Sequence, residues 1–262
     1  MKLASWNVNS LKVRLPQVLE WADRHRPDVM CLQETKSEDG NFPLQAIRDA
    51  GFEAVFSGQK TYNGVAILTR KPVAGTVVGI PDFDDAQKRV LTTTVGAVRV
   101  VCVYVPNGES VDSDKYQYKL RWFAALEKWL ESELARHPRL AVLGDFNVAP
   151  EPRDVHDPVV WDGKILFSEP ERAALQRIMR IDLKDAFRLF YQPEKSYTWW
   201  DYRMNAFRRK MGLRIDHILL SEALAEACAA CTIDIEPRRA ERPSDHAPIV
   251  ADVRVTSDEQ LS

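Results

Sequence analysis

Apolar positions in this chain recur with two spacings, helical and strand-like, that alternate from end to end. Leu15, Val18, Leu19 and Ala22 follow the i, i+3, i+4, i+7 pattern of one helical face, and Pro16 suits a first turn, so a helix is predicted over 16–26. Pro27 ends it. Trp122, Leu126, Trp129, Leu130 and Leu134 mark a second helix over 116–136, with Arg121, Glu127, Lys128 and Glu131 on its other faces. Ser168 and Glu171 match a capping box ahead of a third helix carrying Leu175, Ile178 and Met179. Between the helices, short β-branched and apolar runs predict strands at 2–6, 29–32, 64–69, 90–95, 98–105, 140–143, 214–220 and 247–255. The runs at 90–95 and 98–105 are joined by a tight turn at Gly96 and should pair antiparallel, whereas strands separated by helices can run parallel. An α/β fold of two packed mixed sheets with helices outside uses this inventory well.

Composition narrows the class. The 262 residues are 45% hydrophobic and 28% charged, which is ordinary for a soluble globular chain and excludes collagenous, coiled-coil or largely disordered ones. One domain over 1–256 with a polar tail at 257–262 is the expected organisation. A net charge of -2 rules out a uniformly basic coat but leaves a local basic face open. Asn7 and Asn9 interrupt the start before an apolar signal core could form, and no run approaches the ~20 residues of a membrane span. No membrane association is expected. Cys31 and Cys102 sit in apolar runs and read as buried thiols, and Cys228-Ala229-Ala230-Cys231 lacks the second Cys or His pair of a zinc site, so it reads as structural.

The chemistry lies where polar residues interrupt apolar runs. Asn7, Glu34, Tyr104, Asp145, Asp216 and the pair Asp245-His246 each stand at or just beyond a predicted strand, where side chains from different strands can share a cleft. In Trp6-Asn7-Val8-Asn9 and Asp145-Phe146-Asn147 the two-residue spacing puts both polar side chains on one side of an extended chain. Glu34, Asp145 and Asp245 with neighbouring Asn carbonyls are hard oxygen donors of the kind Mg²⁺ prefers, and too many carboxylates to gather without a cation. Each signal has a plain alternative. Gln33-Glu34-Thr35 also reads as a solvated strand end, Gly144-Asp145-Phe146-Asn147 and Ser244-Asp245-His246 as turns, and Tyr104 as a strand aromatic. All the alternatives must hold at once to remove the site.

Eight strings in fixed order resemble one family. They are Ser5-Trp6-Asn7-Val8-Asn9-Ser10-Leu11, 27–36 with Leu32-Gln33-Glu34-Thr35-Lys36, 63–68, Tyr104-Val105-Pro106-Asn107-Gly108, Gly144-Asp145-Phe146-Asn147, Trp199-Trp200-Asp201-Tyr202-Arg203, 213–217 and Arg242-Pro243-Ser244-Asp245-His246-Ala247-Pro248. Together they resemble the exonuclease III-type apurinic/apyrimidinic endonucleases of the endonuclease/exonuclease/phosphatase superfamily. The resemblance implies a four-layer α/β sandwich of the deoxyribonuclease I-like kind, its active site at one end of the two sheets. It further implies Mg²⁺, with Mn²⁺ as a substitute, held chiefly by Glu34 with Asn7 nearby and Asp245 supporting the metal side. Asp145 then activates or aligns the attacking water, Asn147 orients that water and the phosphate, His246 paired with Asp216 polarises the phosphate, and Tyr104 contacts it.

The same resemblance points to double-stranded DNA with abasic sites or blocked 3′ ends as substrate. Trp199 matches a wall of the pocket for an extrahelical abasic sugar, Lys119 a lysine near the backbone, and Leu213 stands where some relatives carry a bulky Trp. The aromatics of 197–202 lie close to Arg203, Arg208, Arg209, Lys210 and Arg214, a mixture suited to gripping phosphates beside a ring, and Asn9 adds a polar contact. The alternative is that Trp199 and Trp200 are partly core and the arginines only solvated. The resemblance also implies that the loop 148–167, which differs in length and composition among relatives, borders the DNA, so it leaves the balance of abasic incision, 3′–5′ exonuclease and 3′-phosphatase activity open.

The expected function is therefore an Mg²⁺-dependent DNA-repair nuclease that cuts 5′ to abasic sites and trims 3′ ends, monomeric and in a bacterial-type cytoplasm with access to the nucleoid. A chiefly exonuclease and 3′-phosphatase enzyme with little abasic incision is the runner-up. A small-phosphoester or phospholipid phosphatase of the same fold and a non-catalytic nucleic-acid-binding relative are the remaining readings.

Overall fold

The computed structural model describes residues 1–255; the polar tail expected at 257–262 lies outside the described residues. The chain runs β1 (Lys2–Asn7), α1 (Leu11–His25), β2 (Val29–Gln33), α2 (Leu44–Asp49), β3 (Glu53–Ser57), β4 (Val65–Thr69), β5 (Val73–Val78), β6 (Val90–Val95) and β7 (Val98–Tyr104) in its first part. It continues through α3 (Asp114–Arg136), β8 (Leu140–Asp145), α4 (Pro158–Trp161), α5 (Glu169–Arg180), β9 (Leu183–Asp185), β10 (Asp216–Ser221), α6 (Glu222–Glu226), β11 (Cys228–Ile233) and β12 (Ile249–Val253).

These strands form two six-stranded sheets, ordered β11-β12-β1-β2-β4-β3 and β5-β6-β7-β8-β10-β9. Each contains one parallel pair, β1 with β2 and β7 with β8, and each of those pairs is joined by a crossover helix, α1 or α3. The other pairings are antiparallel. Side-chain alternation sorts β7 between two cores. Val98, Val100 and Cys102 face the other sheet, while Val101 and Val103 face the helices. The inter-sheet core joins Leu3, Val29, Cys31 and Ile67 to Leu91, Ala141, Leu143 and Ile218. A second core lies between the β7–β8 sheet and α3 with α5, and a third between the β1–β2 sheet and α1 with α2, giving four layers. Cys228 and Cys231 both join the inter-sheet core as free thiols.

Local signals set the helix ends where they are strong. Ser113 caps α3 by accepting from the Tyr116 amide at 3.1 Å, and Ser168 and Glu171 complete the capping box of α5. The start of α1 differs from the 16–26 expected. It begins at Leu11, with Pro16 exposed inside it, because the Ser10 and Leu11 amides bond the carbonyls of Glu34 and Thr35 at 2.8 and 3.0 Å. A neighbouring strand end, absent from any local pattern, fixes that boundary.

Candidate active site

Parallel pairing places strand ends side by side. Asn7 ends β1 opposite Gln33, one residue before Glu34, and Tyr104 ends β7 opposite Asp145, the last residue of β8. Asp216 opens the antiparallel β10 directly opposite Asp145. His246 lies three residues before β12, where Trp199 bridges to it. Six residues scattered over the chain thus meet at one end of both sheets. Gly144 makes the β7–β8 approach possible, since a Cβ there would stand 1.9 Å from the Val103 carbonyl oxygen.

Asn7 ties the sheets together: its Nδ2 donates to Glu34 Oε1 and to Asp145 Oδ2, each at 2.9 Å. Asp145 also accepts from the Asn147 amide at 2.9 Å and from Asn147 Nδ2 at 3.3 Å. His246 Nδ1 lies 2.8 Å from Asp216 Oδ2, and its Nε2 lies 3.7 Å from Asp145 Oδ2. Glu34, Asn147 and Asn9 have φ of 52, 51 and 43°, a left-handed region that Asn tolerates and that surrounding contacts must enforce for Glu34.

The charges follow from this crowding. Burial pushes the Asp145 carboxyl up to about 7; the imidazolium of His246 opposes that and the Asp216 carboxylate reinforces it. For His246 burial favours the neutral ring, but the carboxylates of Asp216 and Asp145 outweigh it and raise the pKa to about 10. Burial, then the Glu34 carboxylate, holds the Tyr104 phenol well above its usual value, so it stays a donor. Arg89 sits over the Tyr104 ring at 4.6 Å.

Donor atoms of Glu34, Asp145 and His246 lie within 4.8 Å of one another, the group suited to a metal ion among the described residues. Two hard carboxylates, one of them pushed towards neutrality by burial, fit a divalent cation. Asp245 stands beside this group. Its oxygens accept from Asn9 Nδ2 and Trp199 Nε1, both at 2.9 Å, and although burial raises it, His246 and these bonds bring its pKa below the ordinary value. It therefore fixes Trp199 and Asn9 at the rim.

Three expectations about the substrate side change. Lys119 is fully buried inside the protein, so it cannot touch a DNA backbone. Arg214 is fully buried too, paired with Asp154 at 2.7 Å and Asp185 at 2.8 Å, and does not belong to the basic face. Leu213 has no exposed surface and backs Trp199 from behind through a β-bridge. Trp200 is core, packed on Tyr197 and Phe207, whereas Trp199 is half-buried. Arg203, Arg208, Arg209 and Lys210 are exposed, as a phosphate-binding surface requires.

The structure adds residues that the sequence reading did not single out. Lys36 Nζ lies 2.9 Å from Glu34 Oε2 and bonds Asn9 Oδ1 at 2.5 Å. Asn107 Nδ2 donates to Asn147 Oδ1 at 3.2 Å. Both stand inside the strings that carry the resemblance, and that position was their only signal. Thr198 Oγ1 accepts from the Asp216 amide at 3.0 Å, a role with no sequence signal.

Residues 4–246 match the model of the Endonuclease/Exonuclease/phosphatase family. The chain is 37% identical to exodeoxyribonuclease III of Haemophilus influenzae, covering 97% of this chain and 100% of that one. Among solved structures, the 3′ phosphatase NExo from Neisseria bound to a product DNA hairpin superposes with a TM-score of 0.96 at 47% identity, over 97% of this chain and 100% of that one. An AP endonuclease from Archaeoglobus fulgidus gives 0.93 at 39% identity, again over 97% and 100%. Two six-stranded sheets, an acidic and imidazole cluster at their shared end and these likenesses agree: the chain belongs to the Endonuclease/Exonuclease/phosphatase family, as a nuclease of the exonuclease III and AP endonuclease type.

Proposed function

We propose that this protein is an Mg²⁺-dependent DNA-repair nuclease that hydrolyses the phosphodiester 5′ to abasic sites in duplex DNA and trims 3′ ends. The carrying observation is the convergence of Glu34, Asp145 and His246 within 4.8 Å, with Asn7 bonded to both carboxylates. Glu34 and Asp145 would hold the cation, with Asn7 fixing their positions and Asp245 steadying the adjacent rim. Bound there, it supplies positive charge to the phosphate's non-bridging oxygens and to the leaving 3′ oxygen. Asp145 takes or aligns the proton of the attacking water, and Asn147, bonded to Asp145, orients that water. His246, kept protonated by Asp216 and Asp145, donates to the phosphate, and the Tyr104 phenol supplies a second donor.

Trp199, locked by its bond to Asp245, provides a wall for an abasic sugar, which lacks pairing and stacking and leaves the helix at low cost. Exposed Arg203 and Arg209 grip flanking phosphates, and Asn9 adds a polar contact at the rim. A monomer working on bacterial chromosomal DNA in the cytoplasm is the setting this reading implies.

A second reading, with 3′-end trimming dominant and abasic incision minor, is favoured by the 47% identity to the Neisseria 3′ phosphatase against 39% to the archaeal AP endonuclease. One assay separates the readings: abasic duplex, undamaged duplex with a recessed or phosphorylated 3′ end, and an inositol phosphate, each with Mg²⁺ or chelator. Incision of the first supports the lead, turnover of only the second supports the alternative, and turnover of only the third removes both.

A further inference from the structure

We infer that Lys119 is a positioning residue for the hydrolytic site, setting the distance between the loops that follow β7 and β8; the inference rests on the hydrolase reading above. An ammonium offers three N–H donors. All three are used in the interior: one to the main-chain carbonyl of Asn107 at 3.1 Å, one to that of Asn147 at 2.8 Å, and one to the carboxylate of Glu171. Asn107 follows β7 and Asn147 follows β8, so one buried cation clamps both catalytic loops from beneath.

The clamp leads directly to the reacting groups. Asn107 Nδ2 donates to Asn147 Oδ1 at 3.2 Å, and Asn147 Nδ2 donates to the Val105 carbonyl at 2.9 Å and to Asp145 Oδ2 at 3.3 Å. Asn147 sits at φ 51°, a left-handed backbone that Asn tolerates, and these bonds fix where its side chain points. Glu171 cannot follow a displaced lysine, because it is itself held by the amides of Leu166 and Ser168 at 3.1 and 3.0 Å. Losing the ammonium therefore leaves the buried Asn147 carbonyl and the partly buried Asn107 carbonyl without this donor and the buried Glu171 carboxylate without its cation, and the loops must shift to find other donors.

A plain structural role, joining α3 to α5, is the competing account, and the fold contains its own control. Arg99 and Glu133 form another buried ion pair, at 2.7 Å, near the far end of α3 and without a contact to either catalytic loop. The test is steady-state kinetics on whichever of the three substrates the wild type turns over, with saturating Mg²⁺, and thermal melting of Lys119→Met, Lys119→Gln and Arg99→Met. Lys119→Met should lower kcat about 100-fold with KM within about threefold, the signature of misplaced reacting groups. Lys119→Gln, which keeps donors for the two carbonyls, should recover about tenfold of that loss. Arg99→Met should melt lower yet keep kcat within about threefold. Unchanged kcat in either Lys119 variant, or an equal kcat loss in Arg99→Met, overturns the inference. If Lys119→Met does not fold, the Lys119→Gln and Arg99→Met pair decides it by the same comparison. A wild type inactive on all three substrates removes the hydrolase reading itself, and no variant is needed to see that.

Discussion

Asp216 and His246 form a buried pair in which Nδ1 of the ring lies 2.8 Å from Oδ2 of the carboxylate, leaving Nε2 turned towards Asp145. The other oxygen of Asp216 is buried without a hydrogen-bond partner, so the ring is its main compensation. This fixes both the orientation and the charge of the imidazole. His246→Ala should lower kcat by about 10²–10³-fold, in the range for loss of one electrostatic donor, while duplex affinity in chelator changes by less than about threefold. Equal losses in rate and binding would contradict the role assigned to His246.

Metal binding should be visible without turnover. A ligand that binds only the native state at about 100 times its Kd stabilises by about 2.7 kcal/mol, or roughly 5–10 °C in Tm for a chain of this size. Mg²⁺ or Mn²⁺ should raise the Tm of the wild type in a saturable way, and chelator should reverse it. In Glu34→Gln the rise should need far more metal; an identical titration curve would remove Glu34 from the ligand set.

Exposed arginines on the proposed DNA face predict a salt dependence. Removing one side chain that neutralises a phosphate reduces the slope of log affinity against log salt by about 1 for duplex DNA. Arg203→Ala and Arg209→Ala should each flatten the slope by about that amount, measured by fluorescence anisotropy in chelator. The buried Arg214 reaches no phosphate, and a flat slope in the wild type would discard the basic face altogether.

His217 sets a pH dependence of stability. Arg214 Nη1 lies 3.0 Å from its Nδ1 and can only donate, so the ring proton sits on Nε2, 2.8 Å from the Val148 carbonyl. Burial, with the Arg214 charge added, holds its pKa below the usual 6.5. The native state therefore resists protonation where the unfolded chain accepts it. This contribution is present above pH 6.5 and is lost as the pH falls towards the native pKa, at up to about 1.4 kcal/mol per pH unit. Urea unfolding between pH 7 and 5.5 should show that slope reduced in His217→Gln; parallel curves would refute the assignment.

The eight strands expected from local pattern are β1, β2, β4, β6, β7, β8, β10 and β12, all interior to the two sheets. The strands without a legible signal, β3, β5, β9 and β11, are the four sheet edges. Interior strands are buried on both faces and must read as apolar runs, as Leu140–Leu143 does, whereas an edge strand takes its conformation from one neighbour and tolerates Gly75 or the Ala and Cys of β11.

The site divides in the same way. Asn7, Glu34, Asp145 and His246 were legible because a carboxylate, an amide or an imidazole at the end of an apolar strand breaks a pattern that burial otherwise enforces. Whether a cation faces DNA or the interior was not: Lys119, Arg214 and Arg203 look alike in sequence, yet the first two are enclosed by Glu171, Asp154 and Asp185 and the third is exposed. Residue type and spacing record what each short segment can do. Which carboxylate meets which cation across a sequence separation of 52 or 60 depends on how sheets and helices pack, and that is decided only in three dimensions.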